Sequence, residues 1–304
     1  MYWPYAYDSI FADVFLPYSY ADDSFWDYGY GDIYAGLFNP YGYDDLLTTQ
    51  APPGERRYAS APPAGASETT AAIRQLEPLC GDDSRDVAGV PVDDIQNAIS
   101  PTDQQRAALD ELGNASVKAA QIVKASCPSD IALTATGRLD NMKQRIEAMI
   151  EAVSTVRTPL VHFYTMLGDE QKARFNAIGD RDQARQDKQG RRPGGIAQSC
   201  GMSAAAQWPE AQIERLVKPT EAQSLQLDAL RQATEQAAAN LKSACPTSQP
   251  ATPSERLAAI DARLDAMLDA VNSVRKPLAE FYSGLSDAQK ARFNAVGQRN
   301  SRQG

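Results

Sequence analysis

The sequence contains a single histidine, His162, among its 304 residues. Metal centres and catalytic triads that depend on imidazole groups have little to draw on in such a chain. Long apolar runs are also missing, since no stretch approaches the roughly 18 apolar residues of a membrane-spanning helix. The first residues, MYWPYAYD, lack the basic start and apolar centre of a secretory signal peptide. We therefore expect no transmembrane segment in this chain and no enzyme built on histidine.

Basic side chains are absent from residues 1–54, which hold eight aspartates and so carry a charge of −8. The remaining residues hold 30 Lys and Arg against 31 Asp and Glu, which leaves them nearly neutral. A broad basic face for nucleic acid is therefore not expected, although a local basic patch is compatible with this balance.

The chain carries a duplication. Positions 91–179 align without a gap on positions 209–297, and 38 of these 89 pairs are identical. The closest stretch reads FYTMLGDEQKARFNAIG from Phe163 and FYSGLSDAQKARFNAVG from Phe281. A residue needed for chemistry common to both copies should occur in both, yet His162 aligns with Glu280. The duplication thus predicts two small domains of one design, without shared histidine chemistry.

Cysteine is scarce, with two residues in each repeated half: Cys80 and Cys127, then Cys200 and Cys245. No CxxC spacing occurs, and a metal site is disfavoured because the chain has only one histidine. The pattern favours one disulfide within each half, Cys80–Cys127 and Cys200–Cys245, each worth roughly 4 kcal/mol in the chain-entropy model. The alternative is four buried free thiols. Disulfides imply an oxidising compartment, so we expect export, with the export signal upstream of this chain or missing from it.

Residues 1–45 form a low-complexity arm that holds ten of the 13 tyrosines and two of the three tryptophans, spaced by Asp, Gly and Pro. The arm has no helical period and little alternation, so neither helix nor strand is predicted. Two interpretations stay open: a poorly ordered acidic spacer, or a docking surface for glycans, envelope components or basic partners. The Pro-, Ala- and Ser-rich residues 46–70 predict an extended linker.

Both halves predict helices. From residue 138 to 167, every position of two interleaved seven-residue series is apolar, and the same holds 118 residues later. This pattern predicts a long helix that buries one stripe, which Pro159 and Pro277 should kink or break. An alanine-rich helix precedes it, and shorter helices begin and end each half. The stripe comprises Leu139, Met142, Ile146, Met149, Val153, Val156, Leu160, Phe163 and Leu167, then Leu257, Ile260, Leu264, Met267, Val271, Val274, Leu278, Phe281 and Leu285.

The predicted fold class is all-α, with two tandem four-helix units and no strand. The spacer between the units is polar and contains Pro-Gly-Gly, so a rigid connection is not required and each unit should unfold by itself. The predicted segments are the arm (1–45), the first linker (46–70), copy 1 (71–179), the spacer (180–198), copy 2 (199–297) and a tail (298–304).

A small residue stands three positions before Gln or Glu at several helix starts. This arrangement is typical of a capping box, in which the hydroxyl accepts the N3 amide and the longer side chain bonds back to the cap amide. Each cap is worth on the order of 1 kcal/mol, and we interpret these residues as structural. The pairs are Thr102/Gln105, Gly168/Gln171, Thr220/Gln223, Ser286/Gln289 and Thr252/Glu255.

The segments LGDEQ at Leu167 and LSDAQ at Leu285, with the PTxxQ boxes at Pro101 and Pro219, resemble the LTxxQ motif of the Spy/CpxP family. The resemblance covers both copies and leaves the arm unexplained. It implies a helical periplasmic protein, often a cradle-shaped dimer, and in some members an ATP-independent chaperone. Two features depart from the pattern, namely Gly168 in place of a hydroxyl residue and the linked duplication. The two copies thus offer an alternative, a dimer-like pair within one chain.

We expect a protein without enzymatic activity or cofactor that binds unfolded or envelope proteins without ATP. Four phenylalanines flank the motif in both copies and are candidates for lining a client-binding groove: Phe163, Phe175, Phe281 and Phe293. The alternative is a structural or interaction protein of the envelope whose arm docks a partner. A metal or stress sensor, which the resemblance also admits, is disfavoured by the missing histidines.

Overall fold

The computed structural model describes residues 92–126, 132, 134–177, 210–245 and 250–294. All regular structure within these ranges is α-helical, with four helices in each copy, which confirms the all-α class. The arm, both predicted linkers and the tail lie outside the described residues. The helices are α1 (Val92–Ile99), α2 (Asp103–Ala125), α3 (Ala135–Met166), α4 (Asp169–Asn176), α5 (Glu210–Val217), α6 (Glu221–Ser243), α7 (Pro253–Ser283) and α8 (Asp287–Asn294).

Each copy is built around a hairpin of two helices. α2 packs along α3 in copy 1, and α6 packs along α7 in copy 2. All eighteen residues of the predicted stripe are buried, because the seven-residue spacing keeps them on one side of α3 and α7. Ala119 and Ala237, at equivalent positions of α2 and α6, are fully buried as well, and their small side chains allow close approach of the helices. The predicted core is confirmed.

The prolines within the long helices do not end them. α3 continues through Pro159 to Met166, and α7 continues through Pro277 to Ser283. Each proline removes one backbone donor from the helical ladder. Burial of the stripe on both sides of the proline holds the helix together across this point, so of the predicted kink or break, the break does not occur.

The two copies share an interface formed by their long helices. α3 packs directly against α7, and buried residues of both copies belong to one hydrophobic cluster. Arg157 of α3 pairs with Asp261 of α7, and Arg275 of α7 pairs with Asp140 of α3 at 2.6 Å. The separate unfolding expected from the spacer therefore does not fit the structure, because one core serves both copies.

The short first helix of each copy ends at a residue with a left-handed backbone. Ser100 has φ 49° and Lys218, at the equivalent position, has φ 51°. Both amides still close the preceding turn, with Ser100 N–H donating to Gln96 O at 3.0 Å and Lys218 N–H donating to Glu214 O at 3.0 Å. A residue with a Cβ is strained in this conformation, which glycine adopts freely.

Replacing Ser100 by glycine should raise the free energy of unfolding by about 0.5–1 kcal/mol, because relief of the left-handed strain exceeds the entropy that glycine adds to the unfolded chain. A shift of the urea midpoint to higher concentration would measure this gain. Ala177→Gly is the matched control, since Ala177 also follows a short helix but has φ −87°. The control should lose stability; an equal response of the two variants would contradict the role assigned to strain.

Candidate functional site

The two LTxxQ-like turns of each copy lie against each other. In copy 1, Gln105 N–H donates to Thr102 Oγ1 at 3.3 Å, and Thr102 N–H donates to Gln105 Oε1 at 3.0 Å. At the second turn, Gly168 N–H donates to Gln171 Oε1 at 3.0 Å. Gly168 has no hydroxyl, so this box is only half formed. The predicted capping box at Thr102 is therefore present, and the one at Gly168 is present only in its glutamine half.

The glutamines of the two turns bind each other. Gln105 Nε2 donates to Gln171 Oε1 at 2.9 Å, and Gln171 Nε2 donates to Gln105 Oε1 at 2.9 Å. The second proton of each amide binds a backbone carbonyl, Met166 O at 2.8 Å and Ile99 O at 3.2 Å. Each side-chain oxygen therefore accepts two hydrogen bonds and each nitrogen donates two, which satisfies the amides fully. We call this arrangement the glutamine clamp.

Copy 2 contains the same clamp, formed by Gln223 and Gln289. The two amides bind each other at 3.2 and 2.9 Å, and Gln223 Nε2 also donates to Gly284 O at 2.7 Å. Ser286 supplies the hydroxyl that Gly168 lacks, and accepts from Gln289 N–H at 3.4 Å. The two copies thus differ at this site by this weak hydrogen bond and by the contact of Gln289 Nε2 with Lys218 O at 3.4 Å, beside its contact with Val217 O at 3.3 Å.

The clamp fixes the ends of four helices at one junction. It joins the turn before α2 to the turn before α4, while α1 packs against α4. Leu167 and Leu285, the leucines of the motif, are buried beside it. Gln105 itself is only 7% exposed. The motif residues are therefore committed to structure, because their polar atoms are occupied by one another and by the backbone.

The four candidate phenylalanines are buried. Phe163 and Phe175 meet edge to face with centroids 5.7 Å apart, and Phe281 meets Phe293 in the same way at 5.3 Å. In this conformation they line no open groove. Their contact with a client stays a prediction: the residue types that suit a groove suit a core equally, and in this structure they fasten the last helix of each copy to the long helix.

Two tyrosines next to these rings form hydrogen bonds with asparagines of the short last helices. Asn176 Nδ2 donates to Tyr164 Oη at 3.1 Å, and Asn294 Nδ2 donates to Tyr282 Oη at 2.9 Å. In both copies a lysine lies over this tyrosine ring, with Lys172 Nζ 5.7 Å from the centre of the Tyr164 ring and Lys290 Nζ 5.7 Å from that of Tyr282. This distance suits a cation–π contact. An ammonium group and an aromatic ring are therefore presented together on this surface.

Buried arginines are a feature that the sequence reasoning missed. Arg145 donates to Val123 O and Arg263 donates to Leu241 O, so each guanidinium caps the last carbonyls of its neighbouring helix. Cations at a helix C-terminus are favoured by the helix dipole. The same arginine occurs at the equivalent position of both copies, beside a residue of the apolar stripe. A charged residue repeated next to a core position was the sequence signal that could have predicted these buried arginines.

The predicted disulfides lie mostly outside the described residues. Cys80, Cys127 and Cys200 are not described, whereas Cys245 is disulfide-bonded and half-buried at the end of α6. Its sulfur lies 3.8 Å from Leu241 O, the carbonyl that Arg263 also binds. The pairing of Cys245 with Cys200 stays a prediction.

The long-helix interface carries a row of carboxylates on α7 at Asp261, Asp265 and Asp269. Partial burial, and then the charges of Asp261 and Asp269, raise the pKa of Asp265, while Arg157 of α3 acts in the opposite direction. Arg157 thus meets an acidic row rather than a single partner. The second ion pair between the copies, Arg275 with Asp140, lies outside this row.

His162 is exposed, with Nδ1 3.6 Å from a carboxylate oxygen of Glu111. In the described parts of the chain, no three or more His, Cys, Asp and Glu side chains are grouped in a way that suits a metal ion. The same residues include no helix that is both long and apolar enough to cross a membrane.

Comparison with known proteins gives one clear result. The family model described as LTXXQ motif family protein matches the chain twice, over residues 88–179 and 205–297. The two matches together cover more than half of the sequence and coincide with the duplication. No curated protein and no solved structure shows significant similarity to the chain.

Proposed function

The chain belongs to the LTXXQ motif family, and from this membership we propose that it is a non-enzymatic, periplasmic protein that binds unfolded or partner proteins without nucleotide. The strongest support is that the chain contains two units of this family, which pack against each other through α3 and α7. Such a body presents two related helical surfaces to one extended client.

The interface between the copies supports a dimer-like pair within one chain. Besides the ion pairs of Arg157 and Arg275, Ala135 N–H at the start of α3 donates to Asn294 Oδ1 of α8 at 3.0 Å. The equivalent of Ala135 in copy 2 is Pro253, which has no N–H to donate. The pair is therefore related by repetition but differs chemically at its two ends.

The described surface favours weak, reversible capture. Among the described residues, the exposed large apolar side chains are Val117, Val161 and Leu225, at 51%, 41% and 70% exposure. Burying scattered apolar groups yields only a modest gain, so charged neighbours must steer the encounter. Such binding suits a protein that releases its clients without ATP.

The test is suppression of aggregation of a chemically unfolded client by the intact chain without nucleotide. We expect protection, and we expect Leu225→Ser to reduce it, because Leu225 is the most exposed large apolar side chain among the described residues. Ala107→Ser, at the equivalent position of copy 1, is the matched control. Thermal melting of each variant separates binding from stability, since neither side chain is buried.

Absence of protection for several unrelated clients at molar excess would overturn this proposal. The alternative, an envelope interaction protein whose acidic arm docks a partner, would then take its place. The arm's charge favours that second candidate, because eight aspartates without a basic residue predict a basic partner surface.

A further inference from the structure

The equivalent ends of the two copies differ in charge. On copy 2, α5, the turn after it and α8 carry four cationic side chains, which we call the basic face: Arg215, Lys218, Lys290 and Arg292. Arg215, Lys218 and Arg292 are exposed and Lys290 is half-buried. α5 packs against α8, so these residues belong to one end of the molecule.

Copy 1 lacks this character. Its equivalents of Arg215 and Lys218 are Asn97 and Ser100, and its α1 adds Asp93 and Asp94 where α5 has Ala211 and Gln212. Over α1, residue 100 and α4, four acidic and two basic residues give a net charge of −2. Over α5, residue 218 and α8, three acidic and four basic residues give +1. This surface therefore has a net negative charge on copy 1 and a net positive charge on copy 2.

Contacts within copy 2 bring the cations together. Gln289 Nε2 donates to Lys218 O at 3.4 Å, so the clamp joins the turn at Lys218 to the part of α8 that carries Lys290. Lys290 lies over the Tyr282 ring as Lys172 lies over Tyr164, so the two copies share this aromatic contact and differ in the charges around it.

Arg292 is the fourth member of the basic face. Its counterpart, Arg174, pairs with Glu170 at 3.2 Å one turn earlier on α4. In copy 2 that acidic residue is Ala288, so α8 supplies no carboxylate at this position. The arginine has been kept although its helical partner is absent, which favours a role toward something outside α8.

The two ends of the sequence carry opposite charges. Residues 288–304 hold four basic and no acidic residues, whereas residues 1–54 hold eight acidic and no basic ones. We propose that the aromatic arm, residues 1–45, docks on the basic face of copy 2 in the same molecule. Its aspartates would pair with the lysines and arginines, and its tyrosine rings would stack on guanidinium groups and beside Tyr282.

The length of the connection permits this docking. The predicted linker between the arm and copy 1, residues 46–70, has 25 residues. A chain of this length has a root-mean-square span of roughly 25–30 Å as a random coil, comparable with the size of a small domain. A tethered arm acts at an effective concentration in the millimolar range, so contacts too weak for separate molecules suffice. Client binding does not require this surface, so docking of the arm is separate from the proposed function.

Carbodiimide cross-linking of the intact chain, followed by peptide mapping, tests the proposal. This reagent joins a carboxylate to an amine only when they are in contact, and the side chains of the arm supply carboxylates but no amine. We expect links from arm aspartates to Lys290 and Lys218, and several-fold fewer to Lys172, which occupies the place of Lys290 on the anionic copy. About 0.5 M salt should remove most of these links, because the Debye length then falls to roughly 4 Å.

Variants and isotope labelling decide the remaining points. Arg215→Gln combined with Lys218→Gln should reduce arm links to Lys290, whereas Lys172→Gln should leave them unchanged. In a mixture of ¹⁵N-labelled and unlabelled chains, linked peptides should carry a single isotope. Mixed-isotope peptides would overturn docking within one molecule in favour of docking between copies of the chain. Links spread evenly over lysines, or as frequent at Lys172 as at Lys290, would overturn the basic face as the docking site.

Discussion

Replacing Val153 by aspartate should unfold both copies of the duplication in one step. Val153 is buried in α3, on the stripe that packs within copy 1. Burying an uncompensated carboxylate costs several kcal/mol, a large share of the 5–15 kcal/mol that stabilises a typical domain. Because α3 also packs against α7, loss of α3 exposes the core of copy 2 as well. Hydrogen exchange should lose protection in peptides of α2 and α6 alike.

The same change at an exposed site supplies the control. Val117→Asp on α2 places the carboxylate at a half-exposed position and should alter the free energy of unfolding by about 0.5 kcal/mol or less. Val271→Asp, the equivalent of Val153→Asp in α7, should reproduce the full effect from the other side. Protection that persists in α6 and α7 after Val153→Asp would show instead that the copies unfold separately.

The features that the sequence predicted are those that follow local rules. The stripe from Leu139 to Leu167 needs only a seven-residue spacing, and the start of α2 needs only Thr102 and Gln105, three positions apart. Both patterns recur in copy 2, and this recurrence supports each prediction. All-helical units with capped helices could therefore be derived before any contact between helices was known.

The features that the sequence did not predict depend on contacts between distant residues. Gln105 and Gln171 are 66 positions apart, and nothing in either capping box indicates that its glutamine also binds the other box. The burial of Phe175 was equally hidden, because an aromatic residue beside a motif suits a groove and a core alike. Packing of α3 on α7 depends on an apolar surface that each copy carries whether or not a partner is present. Only the arrangement in space separates these alternatives.

The glutamine clamp explains why residue 105 is a glutamine. Gln105→Glu is the second change for which we expect a large effect. A carboxylate at this position still accepts from Thr102 N–H, but it cannot donate to Met166 O or to Gln171 Oε1. Oxygen would then face oxygen at a site that is 7% exposed. We expect a loss of about 3 kcal/mol or more in the free energy of unfolding at neutral pH, since one carboxylate oxygen then faces Met166 O and Gln171 Oε1 with no proton between them.

Glu255 provides the contrast, because it fills the same place in a capping box where glutamate is the natural residue. Its carboxylate accepts from Thr252 N–H and Ala251 N–H, each at 2.9 Å, and these backbone bonds lower its pKa. In both hydrogen bonds the Glu255 side chain is the acceptor, so it does not need a proton to donate. Glu255→Gln should therefore cost less than Gln105→Glu, although each variant exchanges the same two side chains.

The pH dependence separates the clamp from a general loss of packing. In the Gln105→Glu variant, burial and the facing oxygens raise the pKa of the new carboxyl in the folded protein above its unfolded value. The folded variant then binds more protons than the unfolded chain between these two values, so its stability relative to the parent rises as the pH falls through them. The Gln105→Leu variant, which has no titrating group, should show a constant difference. The measurement is the urea midpoint of the parent and of both variants between pH 4 and 8. If the stability difference from the parent does not change with pH for either variant, this glutamine does not serve as a buried donor.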